Sequence, residues 1–216
     1  CAKANAVSVG INWRLAPPEV AYIVDDSGAE VLFVGPDFHG LVEQIAPELK
    51  SVKRIVAMAP GHAEWVDFAS WRDAQPETDP AVPSARDDIA IQMYTSGTTG
   101  HPKGVQLANR AFLDLRLEAP ADDMEWNEWT GDDVSLVAMP SFHIGGAGWG
   151  IQGVTAGAEN IVVSEFDPGE VLSIIESHGV TKLFMVPAAM RLCLHHPKCR
   201  ETDFSSVKYV LYGASP

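Results

Sequence analysis

Short apolar runs rich in β-branched residues alternate along the chain with segments whose apolar residues recur at the helical period. The apolar runs predict strands over residues 31–34, 54–58, 89–94, 134–139, 182–186 and 207–212. The periodic segments predict helices over residues 17–27, 41–49, 109–117, 168–178 and 188–195. Strands that alternate with helices indicate an α/β fold, with a largely parallel sheet flanked by helices.

Two of the predicted helices have well-marked ends. Pro17 and Pro18 stand in the first turn, where a helix tolerates proline, and Gly28 follows the last helical residue. At the start of the helix over 168–178, Asp167 can accept the free backbone N–H of Glu170.

Residues 59–88 break this alternation. They are rich in Pro, Asp and Ala and show no sustained periodicity. We expect irregular surface chain there, with a short helical turn near Trp71. The break divides the chain into two predicted α/β portions, residues 1–88 and 89–216.

Composition and charge exclude several classes of protein. Apolar residues make up 46% of the 216 residues and charged residues 20%, which excludes a disordered or fibrous chain. Lys and Arg number 15 against 29 Asp and Glu, so the formal net charge is −14. Nucleic-acid binders carry a basic face that neutralises phosphates. We therefore expect no nucleic-acid partner.

The cysteines bear on the cellular location of the protein, and the chain ends bear on its full length. The three cysteines form no C-x-x-C pair, which favours a reducing, cytoplasmic setting. No apolar run reaches the ~18–20 residues of a transmembrane helix, and no signal peptide is evident. The chain starts at Cys1 without Met and stops at Pro216, just after a predicted strand. We expect it to be part of a longer polypeptide.

The segment that carries recognisable chemistry is residues 94–105, YTSGTTGHPKGV, which directly follows a predicted strand. Its glycines let backbone N–H groups approach a ligand, its hydroxyls can reach phosphate oxygens or Mg²⁺, and Lys103 adds a positive charge. These features predict a polyphosphate-binding loop. The loop is not that of a P-loop NTPase, because Pro102 precedes the lysine, and it also lacks the dinucleotide-binding glycine spacing.

The same residues resemble the signature Y-T-S-G-T-T-G-x-P-K-G-V of the adenylate-forming (AMP-binding) enzymes: acyl-CoA synthetases, firefly-type luciferases and adenylation domains of peptide synthetases. Only His101 falls at the variable site. Further blocks resemble the family in order, at residues 12–15, 18–19, 25–29, 139–143 and 212–216. The residues in these blocks are most similar to those of fatty acyl-CoA synthetases. The resemblance implies part of the large N-terminal domain of the adenylate-forming fold, with the C-terminal domain absent.

The resemblance also implies a reaction and its site residues. A carboxylate attacks the α-phosphorus of ATP, and the thiol of coenzyme A then displaces AMP. Lys103 and His143 are the implied catalytic residues, and the Thr98 hydroxyl is implied to lie near Mg²⁺. The residues implied to bind phosphates and nucleotide are Thr95, Ser96, Gly97, Thr98, Thr99, Gly100, Lys103, Ile144, Gly213, Ala214, Ser215 and Pro216.

Near His143, two interpretations stay open. We assign His143 an orienting or gating role, because a carboxylate needs no general base at neutral pH; the alternative is a structural hydrogen-bond donor. The glycines of residues 145–150 either leave room for an acyl chain or allow close helix packing. Some fatty-acid members place a tryptophan gate four residues past the histidine. Here that position is Ala147, and Trp149 follows two residues later.

Two other segments receive structural interpretations. Cysteines and histidines in residues 193–199 match no zinc spacing, so we expect a polar helix end. The acidic segment 118–133 is predicted to be a solvated loop, with Trp126 and Trp129 resting on the surface.

The predicted function is ATP-dependent activation of a carboxylic acid, a fatty acid first, followed by thioester formation with coenzyme A. One alternative is adenylation of an aryl or amino acid, and another is a nucleotide-binding module without turnover. We expect this chain alone to be inactive, because the family's Mg²⁺-binding Glu and C-terminal Lys lie beyond Pro216. The thiol acceptor, a homodimer and peripheral membrane association stay open.

Overall fold

The computed structural model of the protein describes residues 1–96, 100–117 and 125–213. The chain forms two compact units, Cys1–Asn109 and Arg110–Pro216. The division expected at residue 88 falls inside the first unit, because the strand that begins at Ile89 pairs with a strand near the start of the chain. Both units pack helices against sheets rich in parallel strands, so the predicted α/β class is confirmed.

The first unit carries two small sheets. Its elements are β1 (Ser8–Gly10), α1 (Pro17–Ser27), β2 (Val31–Val34), α2 (His39–Ile45), β3 (Arg54–Ala57), β4 (Val66–Asp67), α3 (Phe68–Asp73), β5 (Ile89–Thr95) and β6 (Lys103–Ala108). Strands β2, β3 and β4 form one parallel sheet. In the other sheet, β5 pairs parallel with β1 and antiparallel with β6. The helix pair α1 and α2 buries Val20, Val24 and Ile45.

The second unit carries one parallel sheet. Its elements are α4 (Arg110–Leu117), β7 (Val134–Val137), α5 (Ile144–Ala156), β8 (Glu159–Val162), α6 (Pro168–Ser177), β9 (Lys182–Met185), α7 (Pro187–His195) and β10 (Tyr209–Tyr212). The strand order is β10-β9-β7-β8, and every pairing is parallel. Among the described residues, no helix combines the length and apolar character needed to cross a membrane.

The predicted helix ends are present in the structure. Gly28 adopts φ 66°, in the left-handed region that glycine reaches without strain, and it closes α1. The carboxylate of Asp167 accepts the backbone N–H of Glu170 at 2.7 Å at the start of α6. These contacts satisfy backbone groups that a helix end leaves without partners.

A parallel sheet has to be covered on both faces, and the second unit covers each face differently. On one face, Leu136 and Leu183 pack with Val171 and Ile175 of α6 in the larger core. On the other face, Val137 packs with two tryptophans, one from α5 and one from the segment before β7. The second face therefore depends on how closely α5 approaches the sheet.

Helix α5 was not predicted, because its glycines have low helix propensity. In the fold, these glycines allow the close approach. A Cβ on Gly146 would overlap the carbonyl oxygens of Met139 and Pro140, and a Cβ on Gly153 would overlap the Asn160 side chain. That side chain in turn donates to the Gly150 carbonyl at 2.9 Å. The contacts at Gly146 support close helix packing as the role of this glycine.

Trp129 was predicted to lie on the surface, and this prediction is wrong. Trp129 is only 9% exposed, and its ring meets Trp149 edge-on with centroids 4.7 Å apart. Trp126 is 41% exposed, as predicted. The burial of Trp129 has a local cause, because its ring covers the ammonium of Lys182, 4.7 Å from the ring centroid.

Lys182 begins β9 as predicted, yet its side chain is only 1% exposed. Its Nζ donates to the backbone carbonyl of Glu128 and lies 3.8 Å from the carboxylate of Asp133. That carboxylate also accepts from the hydroxyl of Thr181 at 2.9 Å and from the ammonium of Lys208 at 3.1 Å. The buried cation is thus compensated by a carboxylate that is itself fully hydrogen-bonded, as burial of a charge requires.

Asp133 holds this group together as an anion. Burial alone would raise its pKa, but hydrogen bonds from the Thr130 backbone and the Thr181 hydroxyl, with the nearby lysines, lower it below the usual range for aspartate. A carboxyl whose pKa is lower in the folded state stabilises the fold above its unfolded-state pKa and loses that effect as pH falls.

Asp133→Asn should lower the free energy of unfolding by about 3 kcal/mol at neutral pH, because it removes a negative charge that faces the buried Lys182 ammonium at 3.8 Å. Chemical denaturation measures the change. The exposed neighbour provides a control: Asp132→Asn should shift the value by less than about 0.5 kcal/mol. As pH falls below about 4, the wild-type protein should lose stability and approach the variant. Equal stability of variant and wild type at neutral pH would contradict this account.

Two alanine substitutions in α5 should differ in their effect on stability. Gly146→Ala should destabilise the protein by about 1–3 kcal/mol, because the new methyl group overlaps backbone oxygens that cannot move freely. Gly148→Ala should be neutral or stabilising by up to about 1 kcal/mol, because its Cβ would meet only the Ile144 side chain, at 3.2 Å. Thermal unfolding of both variants checks the pair, and equal effects would rule out the packing explanation.

Candidate functional site

The predicted phosphate loop is the connection of the β5–β6 hairpin. Strand β6 was not predicted. It pairs with β5 so that Thr95 lies opposite Lys103 and Tyr94 opposite Gly104. The pairing brings the motif's lysine beside its first threonine at the base of the loop. Residues 97–99 of the motif, Gly97, Thr98 and Thr99, lie outside the described residues.

The described polar groups of the loop face solvent. Thr95, Ser96, Gly100 and Lys103 are all exposed. Gly100 adopts φ 95°, a conformation that favours glycine and turns the chain toward β6. Two hydroxyls, a backbone turn and an ammonium therefore gather at one end of the hairpin. Such a group can donate hydrogen bonds to an anionic ligand and neutralise part of its charge.

A chain of side-chain hydrogen bonds links β5 and β6 on one face of the hairpin. The amide of Gln106 donates to Gln92 at 3.2 Å, and Gln92 donates to the Tyr94 hydroxyl at 2.9 Å. A Cβ on Gly104 would overlap the Gln92 amide and lie 3.1 Å from the Tyr94 ring. A side chain at this position would therefore displace the Gln92 amide from its hydrogen bond to Tyr94, a role of the glycine that its place in the motif does not reveal.

The second unit gathers its candidate residues at one edge of the parallel sheet. Strands β7, β9 and β10 run in the same direction, so their carboxyl ends meet at the same edge. His143 and Ile144 follow β7, and Gly213 follows β10. Residues 214–216, which are Ala214, Ser215 and Pro216, lie outside the described residues.

His143 lies at the start of α5 with its side chain exposed. Its backbone carbonyl accepts from Gly146 at 3.1 Å, and its own N–H donates to Pro140 at 3.1 Å. The ring packs against Phe142 with centroids 4.6 Å apart, and Ile144 beside it is 55% exposed. The backbone of His143 thus starts the helix, while its imidazole is available at the sheet edge.

Phe184 links the two predicted segments of this edge, and sequence reasoning missed it. A Cβ on Gly145 would lie 2.9 Å from the Phe184 ring, and a Cβ on Gly213 would lie 3.4 Å from it. The ring therefore fills the space between the start of α5 and the end of β10. The sequence showed only that Phe184 is an apolar residue within a predicted strand. Any large apolar residue would fit that pattern, so the contact with Gly145 and Gly213 could not be predicted.

Trp149 is part of the core. It is 9% exposed and packs with Trp129 and Val137. The indole therefore packs on a face of the parallel sheet.

The segment of cysteines and histidines forms a helix end, as predicted. Burial raises the pKa of the Cys193 thiol to about 11, and all cysteines are free. His195 contacts the Arg191 carbonyl at 2.7 Å, and His196 accepts from the Lys198 backbone at 3.3 Å. Within residues 1–96, 100–117 and 125–213, no three His, Cys, Asp or Glu side chains are grouped so as to hold a metal ion.

Known proteins match this chain over its whole length. The family model described as AMP-binding enzyme matches residues 1–216. A fatty acid–[acyl-carrier-protein] ligase, ScoC, of Streptomyces coeruleorubidus is 36% identical, with 100% of this chain and 40% of the relative aligned. A feruloyl-CoA synthase of an Amycolatopsis species is 33% identical over the same shares of the two chains.

A solved structure agrees with these matches. The inhibitor-bound N-terminal domain of FACL13 from Mycobacterium tuberculosis superposes with a TM-score of 0.84 at 29% identity, covering 100% of this chain and 52% of that one. The chain spans about two fifths of the length of the curated relatives above. Because the family model covers every residue, the chain belongs to the AMP-binding enzymes, the adenylate-forming family whose signature residues 94–105 resemble.

Proposed function

We propose that the protein carrying this chain activates a carboxylic acid with ATP and transfers the acyl group to a thiol. The observation that carries the proposal is the signature loop between β5 and β6, with Lys103 paired beside Thr95 at its base. Exposed hydroxyls, a glycine turn and one ammonium suit a polyphosphate. Membership of the AMP-binding family supports ATP as the source of that polyphosphate.

The proposed chemistry needs no nucleophile from the protein. The substrate carboxylate attacks the α-phosphorus of ATP, the bond to the β-phosphate oxygen breaks, and pyrophosphate leaves. A thiolate then attacks the acyl carbon, and AMP leaves. The protein contributes by positioning the reactants and stabilising negative charge. We assign the β- and γ-phosphates to residues 95–100 and Lys103, and Mg²⁺ coordination to the hydroxyl of Thr98, on the chemistry of these residue types.

We assign the adenine and the carboxylate to the sheet edge of the second unit. Gly213 and residues 214–216 are proposed to line the adenine, with Ile144 beside the nucleotide. His143 is proposed to orient the carboxylate, since its imidazole is exposed at this edge. Phe184 supports the assignment, because it packs beneath both Gly145 and Gly213.

A fatty acid is the first candidate substrate, because the residues of the motifs resemble those of fatty acyl-CoA synthetases. The ligase from Streptomyces coeruleorubidus acts on a fatty acid and an acyl carrier protein, by its name. An aryl acid is the second candidate, because a feruloyl-CoA synthase is nearly as similar. The same names leave the acceptor open between coenzyme A and a carrier protein. We propose a cytoplasmic location, consistent with the free cysteines.

Lys103→Ala in the natural protein that carries this chain should lower acid-dependent ATP–pyrophosphate exchange by about 100-fold, because the ammonium no longer stabilises departing pyrophosphate. Initial rates with a saturating acid measure the loss. Lys53→Ala, which removes an exposed lysine paired with Glu30, should leave exchange unchanged. If Lys103→Ala retains wild-type exchange and ATP affinity, the phosphate assignment is wrong.

A panel of acids should separate the substrate classes. Medium- and long-chain fatty acids should support the fastest exchange, and hydroxycinnamic and amino acids should be slower. A hydroxycinnamic acid as the best substrate would favour the aryl alternative. ATP binding without exchange for any acid in the panel would identify a nucleotide-binding module without turnover.

A further inference from the structure

The two residues that flank the phosphate loop both contact α1. The hydroxyl of Tyr94, at the end of β5, donates to Oδ2 of Asp26 at 2.7 Å. The ring of His101, on the other side of the loop, stacks on Tyr22 with centroids 5.0 Å apart and planes 28° apart. Tyr22 and Asp26 are four positions apart on α1, so both contacts use the same face of one helix.

Helix α1 is a firm support for such contacts. Its apolar face buries Val20, Ile23 and Val24, which are at most 6% exposed. Both of its ends are closed, by the Glu19 carboxylate on the Ala16 N–H at 2.9 Å and by the left-handed glycine that follows Ser27. A helix fixed by its buried face holds its exposed face in a defined position. The exposed face carries Tyr22 and Asp26.

Tyr94 is held from both sides. Gln92 donates to its hydroxyl, and that hydroxyl donates to Asp26. Burial, and then the hydrogen bond to this carboxylate, raise the pKa of Tyr94 well above its ordinary value, so the phenol stays a proton donor at neutral pH. The hydrogen bonds therefore run from β6 through β5 to α1 in one direction, and each donor has a defined acceptor.

We propose that α1 positions the phosphate loop, with Asp26 acting through Tyr94 and Tyr22 acting through His101. Holding both flanks fixes the separation and direction of the loop's two ends, so that Thr95 and Lys103, which lie opposite each other at its base, meet the phosphates of ATP in one arrangement. Tyr22 and Asp26 are positioning residues and touch no substrate. This inference rests on the proposed function, since it concerns the same loop.

The location of these contacts argues for a role in binding and against one in folding. Each contact joins an exposed group, Asp26 or His101, to a half-buried tyrosine, and a contact that stays open to solvent on one side adds little to the stability of a fold. Yet the contacts lie on the last residue but one of β5 and just before β6 begins. Losing them should free the loop while leaving the core intact.

The inference is tested by steady-state kinetics of ATP–pyrophosphate exchange with the natural protein. Asp26→Ala should lower kcat/KM for ATP about five- to tenfold, mainly by raising KM, because one charge-assisted hydrogen bond on the loop is lost. Tyr94→Phe should cause a similar loss. The double variant should be no worse than either single variant, because both changes remove the same contact.

The neighbouring aspartate provides a matched control. Asp25 also lies on α1, but its carboxylate accepts from the backbone N–H groups of Lys50 at 2.8 Å and Ser51 at 3.2 Å. Asp25→Ala should therefore lower the unfolding temperature and leave kcat/KM unchanged. Asp26→Ala should leave the unfolding temperature unchanged and lower kcat/KM. Asp26→Asn, which keeps an oxygen acceptor for the phenol, should restore most of the lost kcat/KM.

The outcomes separate this inference from the function on which it rests. If the wild-type protein catalyses exchange and the Asp26→Ala and Tyr94→Phe variants show the same kinetics as the wild type, the inference is wrong and the proposed function stands. If the wild-type protein exchanges with no acid, the proposed function fails, and titration calorimetry with ATP decides the inference. Weaker ATP binding by Asp26→Ala, but not by Asp25→Ala, then supports it; equal binding, or none by the wild-type protein, overturns it.

Discussion

The close approach of α5 to the chain that leaves β7 is the constraint on which the second unit depends. Gly146 lies against the carbonyl oxygens of Met139 and Pro140, where no side chain fits. Because the helix comes this near, Trp149 reaches Val137 and meets Trp129, which closes the sheet's second face. The same approach leaves His143 at the sheet edge, so core packing and the candidate site share one cause.

The first unit builds its site in a different way. Its loop lies on an antiparallel hairpin, where β6 brings Lys103 back beside Thr95. On one face of this hairpin, the Gln106–Gln92–Tyr94 side-chain hydrogen bonds link β6 to β5 and stiffen the pair. The proposed contacts to phosphate and to nucleotide thus lie on two types of strand pairing, antiparallel in the first unit and parallel in the second. One is fixed by side-chain hydrogen bonds and the other by helix packing.

Much of the fold could be predicted from the sequence, because the apolar runs, the proline and glycine at α1 and the cap at Asp167 are local signals. The failures have a physical pattern. Glycine disfavours a helix locally, so α5 was missed until its tertiary contacts were known. Trp129 stands in an acidic segment and looked solvated, but a buried ammonium on β9 holds its ring inside. The motif residues were recognisable from their order. The role of Phe184 was not, and Asp26 was recognisable only as part of the family-like block 25–29, because both residues make their contacts with chain that is distant in sequence.

The contact between His101 and Tyr22 has a consequence for how such loops diverge. His101 occupies the one variable position of a twelve-residue signature, the position at which drift should be least constrained. Here its ring rests on a helix met much earlier in the chain. A substitution at either position alters the surface offered to the other. We therefore expect substitutions at positions 101 and 22 to depend on each other, and covariation of the two positions among homologues would show this dependence.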